Sequence, residues 1–261
     1  MLDFEKEVRI RRENNLYLLK QSLNSLDSNS DLLQKIKSYA DRYGLVEQYV
    51  YDKLLLWDED MFFNGFEKDP WRQNIYEILQ LEFMKKIELE TSLISWVKKL
   101  SSSGKEAKYL KKWEIVNLKK VDRWDLKSLD FYWYYEFWNR RLEFYTTCKY
   151  TQDEWWAQDN QANDVYTTYK EARNLEDINL FFIALVDGEY YYRQKWWGKN
   201  FFDYLNGQSN RNRCICVDSR GIFGIIKKEI LNRLCSQPFN KDIETEKERI
   251  SQISWKYFAT I

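Results

Sequence analysis

Histidine is absent from the 261 residues of this chain, and glycine and proline are scarce, with 8 and 2 residues. Without imidazole, the sequence excludes Ser-His-Asp hydrolysis, Cys-His proteolysis and the Cys/His zinc site of nucleobase deaminases. The glycines form neither a Walker-type phosphate loop nor a Gly-x-Gly-x-x-Gly pattern, so nucleotide use is not supported. These absences favour a protein that is not an enzyme, although carboxylates, cysteine, lysine and tyrosine remain available for chemistry.

Net charge is also absent, because 41 Lys and Arg balance 41 Asp and Glu. A protein coated with nucleic acid over its whole surface needs an excess of positive charge, which this chain does not have. The charges are nevertheless uneven: residues 151–187 are acidic and residues 188–235 are basic. We interpret these adjacent blocks as pairing with each other.

Cysteine is limited to Cys148, Cys214, Cys216 and Cys235. Four cysteines are too few for a disulfide framework in a chain of this length, which predicts a reducing, cytoplasmic location. In a strand the Cys-x-Cys pair would share one face and, with a third thiol, could bind a soft metal. Buried, inert thiols are the favoured interpretation, so we predict neither a metal nor a cofactor.

Long hydrophobic runs are lacking as well. The longest, residues 180–186, is far shorter than the roughly 20 apolar residues that a membrane span requires. Residues 1–15 are charged and polar and lack the apolar centre of a secretory signal. No membrane association is predicted.

Helical spacing dominates residues 1–150. Leu32, Ile36 and Tyr39 recur at helical intervals before Gly44, which is placed as a C-terminal cap. A long helix is predicted from Asp69-Pro70 to the serines at 101–103. Residues 1–150 are therefore predicted as a helical bundle, with the aromatic segment 130–141 as a helix buried on most faces.

Extended structure is predicted after residue 177. Two hairpins are expected, formed by residues 180–186 with 190–196 around Asp187-Gly188, and by residues 213–217 with 222–226. The predicted fold class is α+β and predominantly helical: an N-terminal helical bundle followed by a small antiparallel sheet of two hairpins with flanking helices. Residues 1–150 form the helical region and residues 151–261 the mixed region with a C-terminal helix, as two domains or one continuous domain.

Residues 190–199 interleave aromatic and cationic side chains. Single-stranded nucleic acid binds to such surfaces, because each base stacks on a flat ring for roughly 1 to 3 kcal/mol while Lys and Arg contact phosphates. The candidate binding residues are Tyr191, Arg193, Lys195, Trp197 and Lys199. An aromatic strand packed beneath helices, with its charged side in solvent, is the alternative that residue types alone favour.

Glu136 and Arg140 form a second candidate site. They lie one turn apart in the predicted aromatic helix, where they could orient an apolar or planar ligand in a pocket. Core packing explains the same residues with fewer assumptions and is the favoured interpretation.

A metal-dependent nuclease of the restriction type needs an Asp near one strand and Glu-x-Lys on the next, so that metal and lysine meet at one phosphate. Asp177, Asp187 and Glu189 flank the first predicted hairpin, but the hairpin contains no Glu-x-Lys. The sequence Glu106-Ala107-Lys108 has the required spacing and lies outside every predicted strand.

Trp and Tyr number 12 and 19, and both types are enriched at protein interfaces. The sequence thus favours a non-catalytic intracellular protein, such as a regulator, inhibitor or immunity-type factor, that binds a protein partner through an aromatic-rich surface. The alternative is a factor that binds single-stranded nucleic acid through residues 190–199, with metal-dependent cleavage by nearby carboxylates.

Overall fold

A computed structural model describes most of the chain. The described residues are 4–24, 30–56, 60–103, 105–111, 114–117, 128–137, 140–151, 156–208, 213–238 and 240–254. The chain divides into two compact units between Ile78 and Leu79.

The first unit is helical, as predicted for this part of the chain. It contains α1 (Phe4–Asn24), α2 (Ser30–Tyr43), α3 (Glu47–Leu56) and the first part of α4 (Asp60–Thr91). Gly44, at a φ of 64°, ends α2 in the left-handed conformation that its position in the sequence predicts. The buried core of these helices consists of Leu23, Leu32, Ile36, Ala40, Val50 and Leu54.

The second unit is built on a mixed sheet. Its strands are β1 (Ser95–Lys99), β4 (Phe131–Phe137), β5 (Arg140–Tyr150), β6 (Leu180–Asp187) and β7 (Cys214–Val217), in the order β1-β4-β5-β6-β7. A separate two-stranded sheet pairs β2 (Tyr109–Lys111) with β3 (Glu114–Val116). The remaining helices are α5 (Trp156–Ala172), a 3-10 helix (Glu189–Tyr192), α6 (Phe201–Asn206), α7 (Ile222–Cys235) and α8 (Lys241–Gln252).

Strand direction changes across the five-stranded sheet. β1, β4 and β5 are antiparallel, with Phe131 opposite Thr146. β5, β6 and β7 are parallel, with Thr146 opposite Ile183, and α5 connects the first two of these strands. A parallel pair requires such a crossover, whereas a two-residue turn can connect only antiparallel strands.

Both faces of this sheet are covered. On β6, Phe181, Ile183 and Leu185 pack with α4, α7 and α8, and we call this side the α4 face. Phe182 and Ala184 pack with α5, α6 and the 3-10 helix on the opposite side, the α5 face. The central strands are therefore buried on both sides, which is typical of parallel sheets.

The predicted central aromatic helix is wrong. Residues 131–137 form β4, whose aromatic side chains alternate between the two covered faces. A strand buried on both faces has no polar positions to mark its period, so it resembles a helix buried all round. Residues 1–150 consequently include β1 to β5 and are not helical throughout.

The predicted sheet of two antiparallel hairpins is also wrong. The expected strand 180–186 exists as β6, but it pairs with β5 and β7 and not with residues 190–196. Gly188, at a φ of 109°, turns the chain against Thr151, where a Cβ atom would lie 2.0 Å from the Thr151 carbonyl oxygen. The 3-10 helix follows directly, and residues 222–226 begin α7.

Candidate functional site

Residues 196–199 form a tight turn that displays Trp197. Trp196 and Lys199 exchange both backbone hydrogen bonds, at 3.1 and 3.0 Å. The two central residues, Trp197 and Gly198, have φ values of 51° and 73°, as in a type I′ turn. The Trp197 side chain is 81% exposed.

The backbone conformation of Trp197 is strained. A bulky residue in the left-handed region is uncommon and costs on the order of 1 to 3 kcal/mol, whereas Asn and Gly adopt it readily. Asn-Gly is the favoured sequence for a turn of this type. A large exposed ring is therefore kept at a position where a small polar residue would be more stable.

Trp197 begins a row of three aromatic rings. Its ring centroid lies 5.1 Å from that of Tyr204 on α6, and Tyr204 lies 6.0 Å from Tyr166 on α5. Both tyrosines are half-buried. Burial and the adjacent Tyr166 raise the pKa of Tyr204 above its ordinary value.

Two exposed lysines accompany this row. Lys199 lies in the turn itself, and Lys195 places its Nζ atom 4.7 Å from the ring centroid of Tyr190. Asp203, in the first turn of α6, is exposed as well, so the local charge is mixed. We call Trp197, Tyr204, Tyr166 and these two lysines the Trp197 surface.

Of the five predicted binding residues, Lys195, Trp197 and Lys199 are exposed and Arg193 is half-buried. Tyr191 is fully buried: its ring packs 5.2 Å from that of Phe201, and its hydroxyl lies 3.2 Å from Thr151 Oγ1. Tyr191 therefore supports the surface from the core and does not belong to it. Tyr166 and Tyr204 were not predicted, because their helices join the turn only in three dimensions.

A cluster beside the 3-10 helix fixes the start of this segment. The hydroxyl of Tyr192 donates to Asp218, and the guanidinium of Arg220 lies 4.6 Å above the Tyr192 ring. Arg220 Nε donates to Asp218 Oδ2 at 2.6 Å, and the Gly221 amide donates to Asp218 Oδ1 at 2.7 Å. These contacts join residues 189–192 to the start of α7.

Asp187 is a buried structural carboxylate. It accepts hydrogen bonds from the Ser219 amide at 2.9 Å, from the Ser219 hydroxyl at 2.8 Å and from Gln80 Nε2 at 2.7 Å. Burial raises the pKa of Asp187 even though these donors favour the charged form. Asp177 precedes the opposite end of β6. Since a strand extends about 3.3 Å per residue, the length of β6 places Asp177 about 20 Å or more from Asp187. The predicted acidic residues therefore do not converge on one metal ion.

The restriction-type arrangement is approached instead at β4 and β5. Asp130 precedes β4, and its Oδ2 atom accepts hydrogen bonds from the Cys148 amide at 2.6 Å and the Thr147 hydroxyl at 3.2 Å. Lys149 lies two residues after Thr147 and therefore on the same face of β5. Thr147 occupies the position where the Glu of Glu-x-Lys would stand, so only one carboxylate is supplied. This set was not predicted from the sequence, because the aromatic segment that begins at Asp130 resembles a buried helix.

The cysteines do not form a metal site. Cys214 and Cys216 share the α5 face, as strand alternation predicts, whereas Cys148 lies on the α4 face. Burial raises the pKa of both Cys214 and Cys216 well above the usual range, so the thiols stay protonated and are poor ligands. Within the described residues, no group of three or more His, Cys, Asp or Glu side chains could hold a metal ion.

Glu136 and Arg140 do not form the predicted pair. Glu136 lies near the end of β4 and Arg140 begins β5, but Glu136 is paired with Arg141 and accepts a hydrogen bond from it at 3.3 Å. Arg140 lines a cavity on the α4 face to which Glu136 does not contribute. The ligand-pocket hypothesis therefore retains Arg140 and loses Glu136.

The chain has no significant match to any protein-family model, curated protein or solved structure. In the described part of the chain, no helix combines the length and the apolar character that a bilayer crossing requires.

Proposed function

We propose that this chain is a non-catalytic binding protein, acting in the cytoplasm as a regulator, inhibitor or immunity-type factor, and that it recognises a protein partner through the Trp197 surface. The observation that carries this proposal is the exposed ring of Trp197 in a left-handed turn conformation. Strain of this kind is found most often at ligand-binding and active sites, where function maintains it.

The composition of the Trp197 surface supports a protein partner. Trp and Tyr are the residues most enriched among those that dominate binding energy at protein interfaces. Tyr204 and Tyr166 extend the contact area beyond Trp197, and the mixed charges of Lys195, Lys199 and Asp203 suit a polar rim.

The chemistry of the remaining candidates supports a non-catalytic role. Asp130 is accompanied by Thr147 and Lys149. Metal-dependent cleavage would need a second carboxylate at the position of Thr147. Asp187 is fully engaged by Gln80 and Ser219.

The Trp197→Asn variant tests this proposal in the native host. Asn suits the left-handed turn, so the variant folds while losing the ring. We expect a protein that co-purifies with the wild type to be lost with W197N, and the isolated pair to bind at least 10-fold more weakly. Trp96→Asn is the matched control, since Trp96 is exposed and has a positive φ of 57°. A companion that W197N retains fully would contradict the proposal.

Single-stranded nucleic acid is the second candidate partner. The row of Trp197, Tyr204 and Tyr166 offers successive rings for base stacking, with Lys199 in the same turn as Trp197 and Lys195 two residues before it. A fluorescently labelled 20-nucleotide single strand should then bind at low salt, with affinity falling steeply as salt is added. The double variant Lys195→Glu/Lys199→Glu should abolish binding and leave the fold intact. Absence of binding by the wild-type chain at low salt would eliminate this candidate.

A further inference from the structure

A cavity of about 250 Å³ opens on the α4 face, between the paired ends of β4 and β5 at Phe137 and Arg140 and the end of α7. Most of its wall is apolar, including Phe137, Leu142 and Leu234. This wall is separate from the Trp197 surface, which lies on α5, α6 and the turn at 196–199.

Among the described residues, the charged side chains that line the cavity are those of Arg140 and Arg233, and no described carboxylate lines it. The nearby acidic residues interact with other groups: Glu229, one turn before Arg233 on α7, is hydrogen-bonded to Asn232 and lies beside Lys228. Asp177 accepts the Asn179 amide at 2.8 Å, and Glu246 accepts the Tyr135 hydroxyl at 2.9 Å and Arg249 at 2.6 Å. The cavity therefore combines an apolar wall with positive charge that the lining residues do not neutralise.

The guanidinium group of Arg233 is fixed in position by a hydrogen bond with Asn179. Its Nη2 atom donates to Asn179 Oδ1 at 3.0 Å, which fixes the plane of the guanidinium. Its Nε atom is buried and has no hydrogen-bond partner among the described residues. Because Nε is buried, an anionic ligand in the cavity would pair with the guanidinium through its Nη atoms, in a charge-assisted hydrogen bond.

The size of the cavity limits the ligand. An apolar cavity of about 150 Å³ holds one benzene ring, so 250 Å³ holds one ring and a short acidic arm. A carboxylate matches the planar fork of an arginine in a bidentate geometry.

We propose that this cavity is a binding site for a small monocarboxylate with a single apolar ring, whose carboxylate pairs with Arg140 and Arg233 and whose ring packs against Phe137, Leu142 and Leu234. The site is independent of the proposed macromolecular function, and either can fail without the other.

The test compares 3-phenylpropanoate with its neutral isostere 3-phenylpropanamide by isothermal titration calorimetry on the full chain. We expect the acid to bind at least 10-fold more tightly than the amide, with an affinity that falls as salt is added. Equal affinity for the two compounds, or no binding of the acid at millimolar concentration, would overturn the proposal.

Variants locate the site. Arg140→Gln and Arg233→Gln should each weaken binding of the acid at least 10-fold and leave the affinity for the amide nearly unchanged. Arg141→Gln is the matched control, because Arg141 is the neighbouring residue, pairs with Glu136 and does not line the cavity. Should R233Q fail to fold, R140Q still decides the question, because Arg140 is exposed. Binding that R140Q leaves unchanged would contradict the proposal.

Discussion

Trp96 and Trp197 share an unusual backbone conformation, with φ values of 57° and 51°. Both rings are exposed, at 55% and 81%. Their surroundings differ, however, and the difference separates strain that the fold itself explains from strain that the fold leaves unexplained.

Around Trp96 the strain has a structural cause. The register of β1 against β4 shifts between Ser95 and Lys98, so Trp96 lies in an irregularity of an edge strand. Glu88 on α4 accepts the amides of both Trp96 and Val97. Irregularities of this kind twist an edge strand and protect it from pairing with other chains.

Around Trp197 the turn is closed by its own two hydrogen bonds, and the ring contacts Tyr204. An Asn-Gly turn would close residues 196–199 equally well at lower cost. A positive φ is therefore evidence of function only where strand register and local hydrogen bonds do not already explain it.

Glu88→Ala is the strongest test of the structural explanation for Trp96. The variant removes the acceptor of two amides at once, and hydrogen bonds to a charged group contribute roughly 1.5 to 3 kcal/mol. We expect the free energy of unfolding, measured by urea denaturation, to fall by about 2 kcal/mol. Glu88→Gln keeps one acceptor oxygen and should lose about half as much.

Glu90→Ala is the matched control on the same helix. Glu90 forms a surface pair with Lys86 at 3.5 Å, and such pairs contribute about 0 to 1 kcal/mol. Equal destabilisation by E88A and E90A would show that Glu88 does not hold the irregularity in β1.

Substitution of each tryptophan by Asn should change stability in opposite directions. W197N relieves the left-handed strain and loses one ring contact, so we expect a gain of about 1 kcal/mol. W96N relieves the same strain, but it loses two ring contacts, with Tyr132 at 5.8 Å and Tyr134 at 6.2 Å. We therefore expect W96N to lose about 1 kcal/mol. Thermal and urea denaturation of both variants measure the difference. Destabilisation of equal size in both would erase the distinction between the two regions.

Local signals in the sequence predicted the elements that local interactions define. Gly44 ends α2 as expected, and the apolar run at 180–186 is indeed a strand. The pairing of that strand could not be predicted in the same way. Asp187-Gly188 is a typical hairpin sequence. In the structure, however, the Asp187 side chain is bound by Gln80, 107 residues away, and the backbone on either side of Gly188 is hydrogen-bonded to Thr151.

The candidate site was predicted only where it is contiguous in sequence. Interleaved aromatic and cationic residues drew attention to Lys195, Trp197 and Lys199, which are exposed, and their binding role stays a prediction. Tyr204 and Tyr166 carry no signal of their own, since a ring at helical spacing is most often a core residue. The strain at Trp197 depends on φ, which composition does not specify.

The Trp96 region also contains a tyrosine whose effect on alkaline stability can be tested, because Tyr145 lies 4.9 Å from Tyr132, one of the rings that contact Trp96. Burial, followed by the charge of Glu143, raises the pKa of Tyr145 from 10.0 to about 12. The folded state therefore keeps its proton where the unfolded state loses it. The corresponding stability is complete below pH 10 and is lost as the pH rises to about 12.

Tyr145→Phe keeps the ring and removes the titrating hydroxyl, so it should change stability little at pH 7 and reduce the loss between pH 10 and 12. Urea denaturation across this range measures the effect. Tyr49→Phe, at a tyrosine that is 48% exposed, is the control and should leave the alkaline loss unchanged. If Y145F and Y49F lose stability equally with pH, Tyr145 does not contribute to the alkaline transition.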